Sequence, residues 1–372
     1  MRLEELTLNQ FKNNKESKIS FSNRINIFVG ENGAGKTNIL DAIYYLSFCK
    51  SHHNSFDNQN IMHNEKYFMI RGEYYNSDNS NEKVHISFTK GDRKRVKRND
   101  KEYDRLADHI GEFPLVMISP SDTNLIYGGS EDRRKYIDGV ISQFDRAYLN
   151  TILHYNKVLQ QRNALLRNLS DNNNSDSSIL EIIDSKLCEY GDEIHSKRKA
   201  FLKEFIPLIQ TYYEFISNDK EKAGIKYKSQ LTEADFCNLL RENYRKDLAL
   251  KHSSVGTHRD DLNFELNGFP IKKFGSQGQQ KSFLISLKIA QFEYTYKKKS
   301  YKPLLLLDDI FDKLDINRVQ QLMKLVSRNE FGQIFITDTN QERIQKIFKE
   351  IEVERQVFMV NEGNIEIINT NE

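Results

Sequence analysis

The chain has 372 residues, 38% of them hydrophobic and 29% charged, so it is long enough for two or three folded domains. The formal net charge of +2 excludes a uniformly basic DNA-coating protein, and any nucleic-acid surface must therefore come from local clustering of charge. No run of about 18 apolar residues occurs and the first residues carry no signal-peptide pattern, so we expect a cytoplasmic protein without a membrane span.

The three cysteines, Cys49, Cys188 and Cys237, lie far apart and form no CxxC pair. In a chain expected in a reducing compartment, this spacing predicts buried or free thiols rather than a disulfide framework or a zinc site.

The first part of the chain has the periodicity of strands around one helix. Apolar residues alternate over 3–11 and 19–21, and an unbroken apolar run follows at 25–29; both patterns predict strands. Residues 38–48 have the apolar spacing of a helix. Residues 68–75 and 84–88 predict two strands joined by a polar turn, a basic stretch covers 90–98, and a short strand is predicted at 115–118.

The pattern then becomes helical. Apolar residues recur at helical spacing over 148–169 and over 179–215, and a polar loop separates the two segments. Pro207 is expected to kink or divide the second helix. Two long helices joined by a polar loop predict an antiparallel helical arm inserted into an α/β head, and strand structure is expected to return at 262–266.

Residues 30–37, Gly-Glu-Asn-Gly-Ala-Gly-Lys-Thr, fit the phosphate-loop pattern GxxxxGK[ST] between a predicted strand and a predicted helix. Glycines let backbone N–H groups approach phosphates, Lys36 reaches the β- and γ-phosphates, and the Thr37 hydroxyl can bind Mg²⁺. The pattern therefore predicts an ATP site with Mg²⁺. Its predicted contacts are Gly30, Glu31, Asn32, Gly33, Ala34, Gly35, Lys36, Thr37 and Asn38.

Four leucines at 304–307 predict a buried strand that ends in Asp308 and Asp309. Ligands bind at the carboxyl ends of such strands in open α/β sheets. Asp308 is suited to hold Mg²⁺, directly or through water, and Asp309 to orient or deprotonate the attacking water. We therefore predict Lys36 and Asp309 as catalytic residues, and Thr37 and Asp308 as metal ligands.

Residues 274–281, Phe-Gly-Ser-Gln-Gly-Gln-Gln-Lys, resemble the signature of ABC ATPases, with Gln277 in place of the first glycine. A serine hydroxyl and glycine amides at a helix N-terminus form an anion site. In ABC ATPases this site contacts the γ-phosphate bound to the other subunit, which implies nucleotide contacts for Ser276, Gly278 and Gln279. Residues 311–315 match the D-loop of these ATPases, which implies that Asp315 lies at a dimer seam.

Three further stretches resemble the RecF family of SMC-like ABC ATPases. Residues 118–122 and 133–138 are similar to its Ser-Pro-Glu-Asp and Arg-Arg-x-x-x-Asp patterns, although Ser121 replaces the glutamate. Residues 256–262 resemble its Gly-x-His-Arg-Asp-Asp motif, and residues 276–281 resemble its form of the signature. The resemblance implies an α/β ABC/SMC-type ATPase head, formed by residues 1–118 and 263–372, with an inserted, mainly α-helical arm at 119–262.

The resemblance also implies a function. It implies a homodimer that forms on ATP, binds DNA near junctions of single and double strands, and acts with RecO and RecR to load RecA on gapped DNA. Roles in repair, replication-fork recovery and the SOS response are implied as well. ATP hydrolysis would be a weak, DNA-stimulated switch.

Two basic clusters are candidates for DNA contact. One lies on a predicted hairpin and the other at residues 297–299; such clusters neutralise phosphates and make binding salt-dependent. A solvated basic loop explains either cluster equally well. Because no base-reading motif is present, we expect binding without sequence specificity. The predicted DNA contacts on the hairpin are Arg93, Lys94, Arg95, Lys97 and Arg98.

Other functions remain open at this stage. A transporter nucleotide-binding subunit is an alternative, but three features argue against it: Gln277, Asp309 and the absence of a histidine from residues 337–339, which follow the strand predicted at 333–336. Another SMC-like ABC ATPase of DNA metabolism is also possible. A nuclease-coupled ATPase would need an acidic metal domain after residue 361, and a zinc-hook ATPase would need a very long coiled coil with a CxxC pair.

Overall fold

The computed structural model describes residues 1–76, 80–171, 178–217, 221–311, 316–328, 330–349, 351 and 353–368. The chain divides into two compact units. Unit 1 contains Met1–Asp122, Phe215–Asn218 and Gln277–Glu372, and unit 2 contains Thr123–Glu214 and Asp219–Ser276. Unit 2 includes most of the arm predicted at 119–262 and continues beyond it to Ser276.

Strands and helices mostly come in runs, and they alternate one by one over residues 304–361. In chain order the strands are β1 (Arg2–Phe11), β2 (Asn14–Ser20), β3 (Ile25–Val29), β4 (Tyr67–Tyr75), β5 (Asn81–Thr89), β6 (Arg95–Arg98), β7 (Lys101–Glu102), β8 (Leu115–Ile118), β9 (Ala223–Lys228), β10 (Asp261–Leu266), β11 (Phe269–Pro270), β12 (Leu304–Leu307), β13 (Ile334–Asp338), β14 (Arg355–Asn361) and β15 (Asn364–Ile368). The helices are α1 (Lys36–Phe48), α2 (Asn124–Tyr127), α3 (Ser130–Ser142), α4 (Arg146–Asp171), α5 (Ser178–Ser217), α6 (Phe236–Glu242), α7 (Tyr244–Leu250), α8 (Ile271–Phe274), α9 (Gln277–Lys299), α10 (Ile316–Val326) and α11 (Gln341–Phe348). No helix of the described residues is both long and apolar enough to cross a bilayer.

Unit 1 has two sheets with different patterns of burial. The first is antiparallel, in the order β2-β1-β4-β5-β6-β7, and alternate residues of β4 are buried because the sheet covers a core on one face. The second has the order β15-β14-β3-β13-β12-β8 and is parallel except for the β14–β15 hairpin. Strands β3, β8, β12 and β13 are buried at every residue, as parallel strands covered on both faces should be.

Helix α1 connects the two sheets. It contacts β1, β4 and β5 in the first sheet and β8 and β13 in the second. Its side chains Leu40, Ile43 and Leu46 are fully buried in the core of this unit. Because the helix is held on both sides, the loop before it has a fixed position relative to the carboxyl ends of the parallel strands.

Unit 2 combines a helical bundle with a small sheet of order β11-β10-β9. Arg162 of α4 is fully buried and pairs with Asp247 and Asp184, in each case at 2.6 Å. Such a buried cation needs its partners, because an unpaired charge would be strongly destabilising. Helix α5 runs through Pro207 as one element, so the proline does not divide it.

The cysteines correct an expectation from the sequence. Cys188 of α5 and Cys237 of α6 form a disulfide across a sequence separation of 49 residues, while Cys49 is a free, buried thiol. The two helices approach closely at Gly191, where an added Cβ would lie 2.4 Å from the ring of Phe236. The spacing of cysteines in the sequence gave no sign of this contact, because tertiary packing creates it.

Candidate nucleotide site

The phosphate loop joins β3 to α1, and two of its glycines are required by their surroundings. Gly30 has φ 156°, and an added Cβ would lie 2.3 Å from the carbonyl oxygen of Val360. Gly35 has φ 111°, and an added Cβ would lie 2.5 Å from the side-chain nitrogen of Asn13. The loop is also held from β14 and β15, since the amide of Gly363 donates to the Ala34 carbonyl at 3.0 Å.

Lys36 points back across this loop. Its ammonium group donates to the carbonyl oxygens of Gly30 and Glu31, both at 2.7 Å. Burial lowers the pKa of Lys36, and nearby carboxylates, Asp309 foremost, act in the opposite direction. The cation is therefore held among backbone dipoles and acidic groups at the point where the motif predicts phosphate.

The two predicted metal ligands lie together. The Thr37 hydroxyl donates to Asp308 Oδ1 at 2.9 Å, and Asp308 is almost fully buried at the end of β12. The amide of Asp308 donates to the Ile118 carbonyl at 2.8 Å, which continues the ladder between β12 and β8. The register of the parallel sheet thus brings Asp308 beside the first turn of α1.

Asp309 has an unusual backbone conformation. Its φ is 46°, in the left-handed region that residues other than glycine seldom adopt. Its amide donates to the Thr337 hydroxyl at 3.0 Å, and the same hydroxyl donates to Asp308 Oδ1 at 2.7 Å. Thr337 therefore contacts both acidic residues, although in the sequence it was notable only as one of the residues 337–339, which include no histidine.

The signature residues lie at and just before the start of α9. Gly278 and Gln279 lie in the first turn of α9 in unit 1, whereas Ser276 is the last residue of unit 2. A guanidinium nitrogen of Arg318 on α10 lies 2.6 Å from the position that a Gly278 Cβ would occupy, and it donates to the Ser282 hydroxyl at 3.0 Å. Asp315 of the predicted D-loop lies outside the described residues.

Asn13 is a site residue that the sequence analysis did not identify. Its amide group donates to the Ala34 carbonyl at 3.2 Å, and its oxygen accepts from Asn38 at 2.7 Å. Asn13 also lines a cavity of about 670 Å³ together with Lys12, Gln59 and other residues. The only sequence signal was the polar turn between the first two strands.

The predicted DNA-binding hairpin has two kinds of basic residue. Lys94 is only 12% exposed and pairs with Asp57 at 2.8 Å, and Arg98 pairs with Glu82 and Glu112. Arg93 and Arg95 are 81% and 55% exposed, with longer ion pairs of 3.3 and 3.4 Å to Glu102 and Asp92. Lys97 lies on β6, next to the buried Val96. Of the five predicted DNA contacts, Arg93 and Arg95 are therefore the two that are exposed.

Known proteins resemble this chain over nearly its full length. The family model for the RecF/RecN/SMC N-terminal domain matches residues 2–366. The chain is 46% identical over 366 residues to the DNA replication and repair protein RecF of Phocaeicola vulgatus, with 98% of each covered. It is 49% identical over 358 residues to that of Flavobacterium johnsoniae, which covers 96% of this chain and 99% of the relative.

Solved structures agree with the predicted fold class. The structure of the recombination mediator protein RecF-ATP in the RecFOR pathway matches with a TM-score of 0.89 and 31% identity, over 98% of this chain and 97% of that one. An Smc head bound to the C-winged helix domain of ScpA matches with a TM-score of 0.58 and 16% identity, over 99% and 97%, which shows the fold alone. The predicted ABC/SMC-type head with an inserted helical arm is confirmed.

Proposed function

The chain belongs to the RecF family of DNA replication and repair proteins, and we propose from this that it is an ATP-dependent, DNA-binding recombination mediator. The observation that carries the proposal is the meeting of Lys36, Thr37 and Asp308 at one edge of the parallel sheet. A relative matched over nearly the full chain was solved with ATP, which supports the same ligand here. The comparisons favour this family over a transporter nucleotide-binding subunit.

The site suits a nucleoside triphosphate and Mg²⁺. The phosphates would replace the carbonyls of Gly30 and Glu31 as partners of the Lys36 ammonium. Thr37 and Asp308 offer hard oxygen donors 2.9 Å apart, the donor type that Mg²⁺ prefers, so we assign them as its protein ligands. Bound Mg²⁺ would neutralise charge on the β- and γ-phosphates.

The cavity beside Asn13 is the proposed place for the nucleoside. It adjoins the phosphate loop through the bond from Asn13 to Ala34 and has both amide and apolar lining, including Gln59 and Met62. A base and ribose need this combination of apolar contact and a few polar groups. ATP would therefore extend from this cavity toward Asp309.

Hydrolysis in this proposal is slow and acts as a switch. Asp309 would orient the attacking water, and Lys36 would stabilise the charge that develops on the phosphates. Ser276, Gly278 and Gln279, with Asp315, would complete the site of a second copy, so that ATP rather than ADP closes a homodimer. That dimer would bind DNA at junctions of single and double strands in the cytoplasm and act with RecR and RecO in loading RecA.

Sedimentation velocity with ATP and with ADP tests the proposal. We expect dimers with ATP and monomers with ADP. The γ-phosphate is the group that contacts the second subunit, so only ATP binds the closed dimer more tightly than the monomer. Ser276→Arg should abolish the dimer while ATP binding persists. Lys36→Met should weaken ATP binding itself, because a counter-charge to the phosphates is lost.

Repeating the series with gapped DNA measures the link to DNA. DNA should shift the wild-type equilibrium further toward the dimer in ATP, by reciprocal coupling. A chain that binds ATP and remains monomeric at all concentrations, with and without DNA, would contradict the proposed switch.

A further inference from the structure

Thr337 lies at a junction between the strands that carry the nucleotide site. Strand β13 is flanked by β3 and β12, with Ile336 opposite Leu307 and Thr337 opposite Phe28. One residue beyond these pairs, Asp308 follows the end of β12, and β3 ends at Val29 beside the phosphate loop. The register of three parallel strands therefore fixes the Thr337 side chain next to Asp308.

A single hydroxyl group joins two consecutive acidic residues. Thr337 Oγ1 donates its one proton to Asp308 Oδ1 at 2.7 Å and accepts the Asp309 amide proton at 3.0 Å. Asp308 Oδ1 also accepts from Thr37 at 2.9 Å. Asp308, which is assigned to the metal, and the backbone amide of Asp309, which is assigned to the attacking water, thus share Thr337 as a hydrogen-bonding partner.

The Asp309 backbone lies in a conformation that its hydrogen bond to Thr337 stabilises. Its φ of 46° lies in a region that L-residues enter only at an energetic cost, and a hydrogen bond to the amide holds it there. The direction of the Asp309 side chain depends on that backbone angle. A relaxed φ would turn its carboxylate away from its present position.

We propose that Thr337 is a positioning residue for ATP hydrolysis, which holds the Asp309 backbone and the Asp308 carboxylate in one fixed arrangement. The inference rests on the proposed function, because it assigns a role within the same site. In the reaction, the water oxygen bonds to the γ-phosphorus, the bond to the bridging oxygen of ADP breaks, and the water proton passes to Asp309 or to solvent. Thr337 acts through the residue that orients this water.

The burial of Thr337 makes the role specific to its hydroxyl. The residue is 1% exposed, so water has little access to replace the hydroxyl if it is removed. Thr337 has a short side chain, and its hydroxyl makes hydrogen bonds to the two residues that follow β12. Its effect on γ-phosphate chemistry must then pass through Asp308 and Asp309.

Two substitutions at Thr337 distinguish the effect of its hydroxyl from the effect of its side-chain shape, and a third substitution is a control. Thr337→Val keeps the branched shape that suits a strand and removes the hydroxyl. Thr337→Ser keeps the hydroxyl. Thr339→Val removes an exposed threonine hydroxyl two residues along and is the matched control. For each, the ATP dissociation constant, the single-turnover hydrolysis rate and the lifetime of the ATP-bound dimer are measured.

We expect Thr337→Val to lower the hydrolysis rate roughly ten- to hundred-fold, the size of effect that a small misplacement of catalytic groups produces. Its ATP dissociation constant should change less than about threefold, and its ATP dimer should live longer in proportion to the lost hydrolysis. Thr337→Ser should recover most of the rate, and Thr339→Val should match the wild type.

A double variant tests whether Thr337 acts through Asp309. If it does, Thr337→Val combined with Asp309→Asn should be no slower than Asp309→Asn alone. Wild-type rates in Thr337→Val, a Thr337→Ser variant as slow as Thr337→Val, or multiplied effects in the double variant would each overturn this inference alone. A wild-type chain that binds no ATP would overturn the proposed function, and this inference with it.

Discussion

The imidazole of His52 lies between two serine hydroxyls just beyond the end of β8. Its Nε2 is 3.1 Å from the hydroxyl oxygens of both Ser119 and Ser121. Burial lowers the pKa of His52 from its usual 6.5 to about 4, and Lys288 acts in the same direction. Lys288 itself pairs with Asp122 at 2.6 Å. The ring is therefore neutral at pH 7 and accepts or donates hydrogen bonds without charge.

This pKa shift predicts an acid-sensitive contribution to stability. Because the unfolded chain binds the proton more readily between pH 4 and 6.5, the contribution is present above pH 6.5 and is lost as the pH falls toward 4. From about pH 7.5 to about pH 5 we expect His52 to account for a loss of about 2 kcal/mol. The His52→Gln variant should not show this part of the loss in the free energy of unfolding. Urea denaturation of the wild type and of His52→Gln across the pH range measures the difference between their free energies of unfolding.

His258 supplies a check on this interpretation. Burial also lowers its pKa to about 4, and His52→Gln leaves that group unchanged, so part of the acid sensitivity should remain in the variant. Identical pH profiles for wild type and His52→Gln would show that His52 does not titrate as described.

At the scale of single residues, the sequence predicted those site residues that are neighbours along the chain. Gly30 to Thr37 lie within one short segment whose spacing follows from phosphate chemistry, so the motif was visible without the fold. Asn13 and Thr337 were missed as site residues because their roles depend on which strands are neighbours. Nothing in a threonine after an apolar run indicates that its hydroxyl contacts Asp308 and the Asp309 amide.

The elements themselves followed the hydrophobic pattern closely. The strand predicted at 115–118 is β8, and the helix predicted at 148–169 lies within α4. The order of strands was beyond sequence reasoning, because β3 is flanked by β13 and β14 from the far end of the chain. The same limit applies to the basic hairpin, where Lys94 and Arg98 are paired by acids from separate segments.

The disulfide between Cys188 of α5 and Cys237 of α6 predicts how much this contact between helices stabilises the protein. A disulfide that closes a loop of this length restricts the unfolded chain, and its loss should lower the free energy of unfolding by about 4 kcal/mol. Denaturation of the wild type with and without reductant measures this effect. Cys237→Ser, which cannot form the bond, should be insensitive to reductant.

Thiol counting provides the control for that experiment. With the disulfide intact, the denatured wild type should expose one free thiol, that of Cys49. Three free thiols in the chain purified without reductant, together with reductant-independent stability, would contradict the bond.

For the whole molecule, near-neutral charge means that DNA affinity must depend on a few exposed cations. Under the proposed function, the double variant Arg93→Ala/Arg95→Ala should reduce the magnitude of the log–log salt slope of DNA binding by roughly 1.8 per subunit, about 0.9 for each lost phosphate contact. ATP binding should be unchanged, since these residues lie on the hairpin and not in the phosphate loop. Affinity across a salt series, in ATP and in ADP, is the measurement.

A variant with the same loss of charge elsewhere controls for the net change. Lys18 and Lys226 are exposed and form ion pairs with Glu5 and Glu265, much as Arg93 and Arg95 do with their own partners. Lys18→Ala/Lys226→Ala should leave the salt slope near that of the wild type. Equal slopes in the two double variants would remove the hairpin from the DNA-binding surface.

The support of the phosphate loop by β14 and Gly363 has a consequence for how the protein is made. Synthesis proceeds from the N-terminus at roughly 5–20 residues per second, so the ribosome completes β3, the loop and α1 early. Both strands that flank β3, and the carbonyl of Val360 that packs on Gly30, are translated near the end. A nascent chain thus carries the ATP motif without its lateral supports. We expect nucleotide binding to be acquired late in synthesis, so that ATP does not pair unfinished chains.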